Sequence, residues 1–134
     1  MPHPALALTK AVYAALVADA GVGALVGDRI HDAAPRNAAF PYVGIGDVQT
    51  ADWSTGTERG AEHRLTLHAW SRTPGKAEAL AVLEAVRAAL DDAALDLEGH
   101  ALVSLRFDWA SAARDPDGLT WHGVVRFRAV TEET

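Results

Sequence analysis

The segment from Glu62 to Ser71, Glu-His-Arg-Leu-Thr-Leu-His-Ala-Trp-Ser, constrains the fold most, because its apolar residues alternate without a break. Successive side chains of a strand point to opposite faces, so Leu65, Leu67 and Ala69 share one face and Arg64, Thr66, His68 and Trp70 the other. The first face demands a covering layer, and the second is only half polar. A polar loop carrying Asp52, Trp53, Ser54 and Arg59, with Gly56 and Gly60, feeds this strand. A second loop and strand of the same kind runs from Arg114 through Asp115, Asp117 and Trp121 to Val130. Aromatic and Arg side chains dominate interface energetics, and glycine lets backbones approach closely, so the chain reads first as part of an assembly.

The remaining segments supply the covering layer. Leu8, Val12 and Leu16 recur at helical spacing between Pro4 and Ala20, which predicts a first helix. A short apolar turn, Val22 to Val26, precedes a short strand around Arg29 to His31. A strand is expected to start at Pro41, with Val43 and Ile45 on one face. Gly44 and Gly46 on its other face imply close packing there or a bend. Thr73 as N-cap and Pro74 at the first helical position predict a second helix, with Leu80, Leu83, Val86 and Leu90 buried and Lys76, Glu78, Glu84, Arg87 and Asp91 outside. Glu98-Gly99 reads as a hairpin turn, followed by a strand with Val103, Leu105, Phe107 and Trp109 on one face. Asp115-Pro116-Asp117-Gly118 is a turn signal. The last strand, Trp121 to Thr131, places Val125, Phe127 and Ala129 opposite Val124, Arg126, Arg128 and Val130. The expected fold is α+β, a mostly antiparallel sheet of four to five strands with two helices packed on one face.

Composition sets the outer limits. A chain of 134 residues is one domain by length, spanning residues 1–134, and it contains no cysteine. Disulfides and thiolate chemistry are excluded. A net charge of −6 argues against a protein whose main task is gripping phosphates. No cation precedes the apolar start and Lys10 interrupts it, so a signal peptide is not expected. No apolar run reaches the ~20 residues of a membrane span, and no membrane partner is expected.

No motif for catalysis emerges, and no metal or cofactor is expected. His63 and His68 fall on opposite faces of one strand, and neither has a partner at metal-ligand spacing. His68 and His122 are candidates to become cross-strand neighbours. Gly44-Ile45-Gly46 lacks the rest of a nucleotide fingerprint, Asp115 to Gly118 lacks the ligand spacing of a calcium loop, and no serine has a nucleophile-elbow context. Arg64, Arg106, Arg126 and Arg128 gather on one sheet face. The acidic total favours pairing of that face with carboxylates of another copy, Asp115 and Asp117 leading, over nucleic-acid binding.

The ordered set of these residues resembles a known family. An Ala-rich helix, Leu25-Val26-Gly27-Asp28-Arg29-Ile30, Phe40-Pro41-Tyr42-Val43, Asp52-Trp53-Ser54-Thr55, His63 to Ser71, Gly99 to Leu105 and Trp121 to Val130 together resemble the tail terminator, or tail-completion, proteins of long-tailed phages. The versions carried by gene transfer agents of alphaproteobacteria look closest. The resemblance implies a structural protein that forms a ring, usually of six copies, at the head-proximal end of the tail tube. Its implied partners are the tail tube protein and a head-tail connector or neck protein, with DNA passing through the lumen. The residues expected at assembly contacts are Asp52, Trp53, Ser54, Arg59, Trp109, Arg114, Asp115, Asp117, Trp121, Arg126 and Arg128. Thr50 to Ala61 is expected to be a loop, mobile in the isolated subunit, with Trp53 as its anchor. The alternative is a small soluble dimeric module that binds a ligand on the Gly44, Gly46 and Trp70 side of the sheet.

Overall fold

Alternation in the central strands and helical spacing at the N-terminus meet in one apolar layer. The computed structural model describes residues 3–134. Helices α1 (Pro4–Ala18), α2 (Ala20–Val26) and α3 (Ala77–Leu90) accompany strands β1 (Ile30–His31), β2 (Tyr42–Asp52), β3 (Gly60–Ser71), β4 (Asp96–Leu97), β5 (His100–Arg114) and β6 (Trp121–Glu133). The strands form one sheet in the order β1-β2-β3-β6-β5-β4, with β1 parallel to β2 and every other pair antiparallel. The sheet therefore has six strands rather than four to five, because the two-residue pieces β1 and β4 also pair. There are three helices rather than two.

Asp19 creates the extra helix. Its carboxylate accepts the Val22 backbone N–H at 2.9 Å, so it caps α2 instead of continuing α1, and the chain bends by 77° there. The predicted stripe of Leu8, Val12 and Leu16 is fully buried. These side chains join Val43, Ile45, Leu65, Leu67, Ala69, Val125, Phe127 and Ala129 from the sheet and Leu83, Val86 and Leu90 from α3. All alternation faces assigned to β2, β3 and β6 hold.

Three local expectations fail for identifiable reasons. Helix α3 begins at Ala77, not after Thr73, because Gly75 takes a φ of +84°, which a helix cannot contain. Ser71 Oγ instead accepts the Thr73 N–H and donates to Glu78. Leu80 is 44% exposed, while Ala79 and Val82 are buried. At 100° per residue Ala79, Val82, Leu83, Val86 and Leu90 share one arc, and Leu80 falls outside it. In β5, irregularities at Leu102/Ser104 and Phe107/Trp109 each insert a residue. Trp109 consequently pairs with Arg126 on the face opposite Phe107, and Val103 turns outward, 55% exposed.

Helix α3 also crosses the sheet closely. A Cβ on Gly123 would lie 2.8 Å from a Leu83 methyl, so β6 needs glycine where α3 passes. Leu83→Ala is expected to cost about 2 to 5 kcal/mol of unfolding free energy, and Leu80→Ala less than about 1 kcal/mol. Urea unfolding of the two variants checks this, and equal losses would refute the assigned helix face.

Candidate assembly interface

The helices leave one face of the sheet bare, and its side chains follow from the strand registers. Tyr42, Trp70 and His122 lie side by side across β2, β3 and β6. Trp70 and His122 stack with ring centroids 3.7 Å apart at 7°, and His68 stacks on both. His68 Nδ1 and His122 Nε2 are 2.7 Å apart, so one donates and the other accepts. The expected His68–His122 neighbourhood is present. The close packing expected at the β2 glycines is present at Gly46 only; a Cβ at Gly44 would make ordinary contact, 3.7 Å from the Trp70 indole nitrogen. A Cβ at Gly46 would sit 2.5 Å from His68 Nε2, and β2 is irregular between Ile45 and Val48. His63 points the other way, buried, between Thr50 Oγ1 and Thr131 Oγ1 at 3.0 Å each.

Beside the aromatic stack lie the arginines. Arg64 and Arg128 face each other across β3 and β6, and carboxylates interleave them. Arg128 Nε donates to Glu62 at 2.7 Å, while Arg64 lies 3.6 Å from Glu62 and 3.8 Å from Asp108. Arg106 reaches Asp91 at 3.6 Å. Each of these pairs is at least partly exposed and contributes little to stability. Arg126 differs: its Nε is buried without a hydrogen-bond partner among the described residues, and its guanidinium lies over the Trp109 ring at 5.1 Å. Trp53 similarly lies under Arg128 at 5.1 Å and Trp121 under Arg114 at 5.4 Å.

The other expected contact residues separate to the two ends of the sheet. Gly60 pairs with Glu132 at one end and Ser71 with Trp121 at the other, so the β2–β3 and β5–β6 turns point in opposite directions. Asp52, Trp53, Ser54, Arg59 and Arg128 therefore form one cluster; Arg114, Asp115, Asp117 and Trp121 form a second; Trp109 and Arg126 lie between. At the first end, β2 runs to Asp52 and β3 starts at Gly60, which shortens the expected Thr50–Ala61 loop to Trp53–Arg59. That turn is internally bonded: Ser54 Oγ donates to Asp52, Thr55 Oγ1 accepts the Thr57 and Glu58 N–H groups, and Trp53 N–H donates to Gly60. Trp53 nevertheless stays 51% exposed. Asp52, Ser54 and Arg59 also line a shallow cavity of about 180 Å³ with Pro4, His100 and Glu133. At the second end Asp117 accepts the Leu119 and Thr120 N–H groups and the Thr120 hydroxyl, which holds its carboxyl below the usual range. Of the expected cross-copy contact, Arg128 already has Glu62 and Asp117 is committed to its turn.

Among the described residues no three His, Asp or Glu side chains gather as metal ligands. The bare face carries the aromatic stack and the arginines, with a Trp- and Arg-bearing cluster at each end.

The chain matches the family of tail completion protein gp17 over residues 10–132. It belongs to that family. The tail completion protein gp17 of Bacillus phage SPP1 is 29% identical over 101 residues, 75% of each chain. The solved structure of that protein superposes with a TM-score of 0.65 at 28% identity, covering 92% of this chain and 88% of the other. A chain in the virion of a native gene transfer agent particle superposes with a TM-score of 0.91 at 37% identity, covering 98% and 99%. This tail-completion chain is thus a structural virion protein related to those of gene transfer agents, and its relatives are not enzymes.

Sequence reasoning missed Tyr42 as part of the stack and Glu62 as the partner of Arg128. Tyr42 was legible, since it alternates with Val43 and so shares the Gly44 face. Glu62 was not, because the β3–β6 register sets its reach.

Burial lowers the pKa of His68, His122 and His63, and the neighbouring His68 lowers His122 further, against weaker opposing pulls from Asp47 on His68 and Asp115 on His122. A histidine held neutral in the fold binds fewer protons than in the unfolded chain. The stability it supports is full above its ordinary value of about 6.5 and is lost as pH falls through its lowered folded value. Thermal unfolding should therefore shift down between pH 7.5 and pH 5, and His68→Gln with His122→Gln should shrink that shift. A melting temperature unchanged or higher at pH 5 would refute the neutral stack.

Proposed function

We propose that this protein closes the head-proximal end of a phage-like tail tube as a hexameric ring, ending tube growth and joining the tail to the neck or head-tail connector. The near full-length superposition on a chain of a gene transfer agent virion carries this reading. The arrangement of the sheet supports it. A ring cap needs two axial surfaces, one for the tube and one for the neck, and the chain has two Trp- and Arg-bearing clusters at opposite ends of its long strands. The partners are further copies of this chain, the tail tube protein and a neck protein, with DNA only passing through the lumen. Assembly takes place in the bacterial cytoplasm, and the final location is the tail–neck junction of the particle.

Deleting the gene should leave filled heads separated from tails of uncontrolled length, scored by electron microscopy. Normal-length tails joined to heads would overturn the reading.

The exposed Trp53 is the anchor of one axial surface. Trp53→Ala should leave the melting temperature nearly unchanged and weaken docking to the particle by about 2 kcal/mol or more, as removal of a central aromatic does. A variant that unfolds, or one that docks with unchanged affinity, would remove Trp53 from that role.

A further inference from the structure

We infer that neighbouring copies join by strand pairing, the β5 edge of one copy adding to the β2 edge of the next; this inference rests on the ring reading above. Both outer long strands leave half their length uncovered. Strand β1 covers β2 only at Val43 and Gly44, and β4 covers β5 only at His100 and Ala101. Asp91 and Asp92, just after α3, bond the outer backbone of β5 at Phe107 and Leu105, which leaves Trp109 to Arg114 open. On β2 the open run is Ile45 to Asp52.

Soluble proteins blunt such edges with charges, proline or covering loops. The β5 run Trp-Ala-Ser-Ala-Ala-Arg has none of these before Arg114, and its small side chains allow close approach. Its single charge is positive. The β2 run carries only Asp47 and Asp52, both negative. The two edges are thus complementary, and they are different patches, as a head-to-tail ring contact requires.

Strand direction fits as well. The four long strands alternate in direction, so β5 runs opposite to β2 and the β2 of a following copy meets it antiparallel. The stagger also fits. Ser111 lies level with Gly44 through Val124 and His68, whereas the middle of the open β2 run is four or five positions farther on, about 13 to 17 Å at ~3.3 Å per residue. Strands that close into a ring tilt by about 35 to 45°, which displaces the register by about 13 to 19 Å for every four strands. Aligning the open runs with the faces kept continuous puts Ser111 opposite Gln49 on the bare face, Ala110 opposite Thr50 on the core face, and Arg114 opposite Gly46, beside Asp47. Asp47, rather than Asp115 or Asp117, is then the carboxylate that meets a neighbour's arginine.

The natural chain has no cysteine, so introduced thiols report cleanly. Thr50→Cys with Ala110→Cys, and separately Gln49→Cys with Ser111→Cys, are built into particles and oxidised. Each pair should give covalent multiples of this chain, up to six, that neither single variant gives. Independently, the amides of residues 109–113 should exchange quickly in the isolated chain and at least tenfold more slowly in the particle. If six copies are present at the tail end but neither pair links, or those amides remain unprotected, edge pairing is wrong and the ring stands. A link to a protein of another mass also overturns it. A tail end with no ring of this chain removes the ring reading and the pairing together.

Discussion

The register of β3 on β6 is the constraint on which the rest of the molecule depends. Leu65 opposite Phe127 and Leu67 opposite Val125 fix the apolar face against α1 and α3. Because the side-chain period is two, a slip of one residue would put either Arg64 of β3 or Arg126 and Arg128 of β6 into the core, and Leu65 or Phe127 and Ala129 into water. Burying several apolar side chains at about 1.5 to 3 kcal/mol each rules out that slip. The same register lines up Trp70 with His122 and Arg64 with Arg128, so one choice of pairing creates both the core and the contact face.

Placing cations side by side on a sheet has a cost, and the chain manages it locally. Arg64 opposite Arg128 would repel, yet Glu62 and Asp108 stand between and beside them. Arg126 is treated differently, resting on Trp109 with its Nε unpaired among the described residues. That contact exists only because the irregularity in β5 turns Trp109 to this face.

The architecture also separates tasks by direction. Along the strands, the two hairpin turns carry aromatic and charged residues to opposite ends of the sheet. Across the strands, the edges β2 and β5 expose backbone hydrogen-bonding groups. The helices, all on one side, keep the core intact without contributing to either direction. The buried core is thus separate from both the ends and the edges of the sheet.

The sequence by itself determined the periodic features: the stripe Leu8, Val12 and Leu16, the faces of β2, β3 and β6, the turn at Asp115 to Gly118, and the close packing at Gly46. These depend on near-neighbour spacing, and burial enforces them. It also determined the family, through the order of motifs along the whole chain. What only the tertiary structure decided were features set by competition between local and distant contacts. Asp19 could continue one helix or cap another, and its bond to Val22 settled that. Leu80 looked as apolar as Leu83, but only the face that meets Gly123 is buried. Trp109 sits one irregularity away from its predicted face, and Glu62 finds Arg128 across 66 residues of chain. Such outcomes turn on the pairing of segments far apart in sequence, for which one-dimensional spacing carries no energy term.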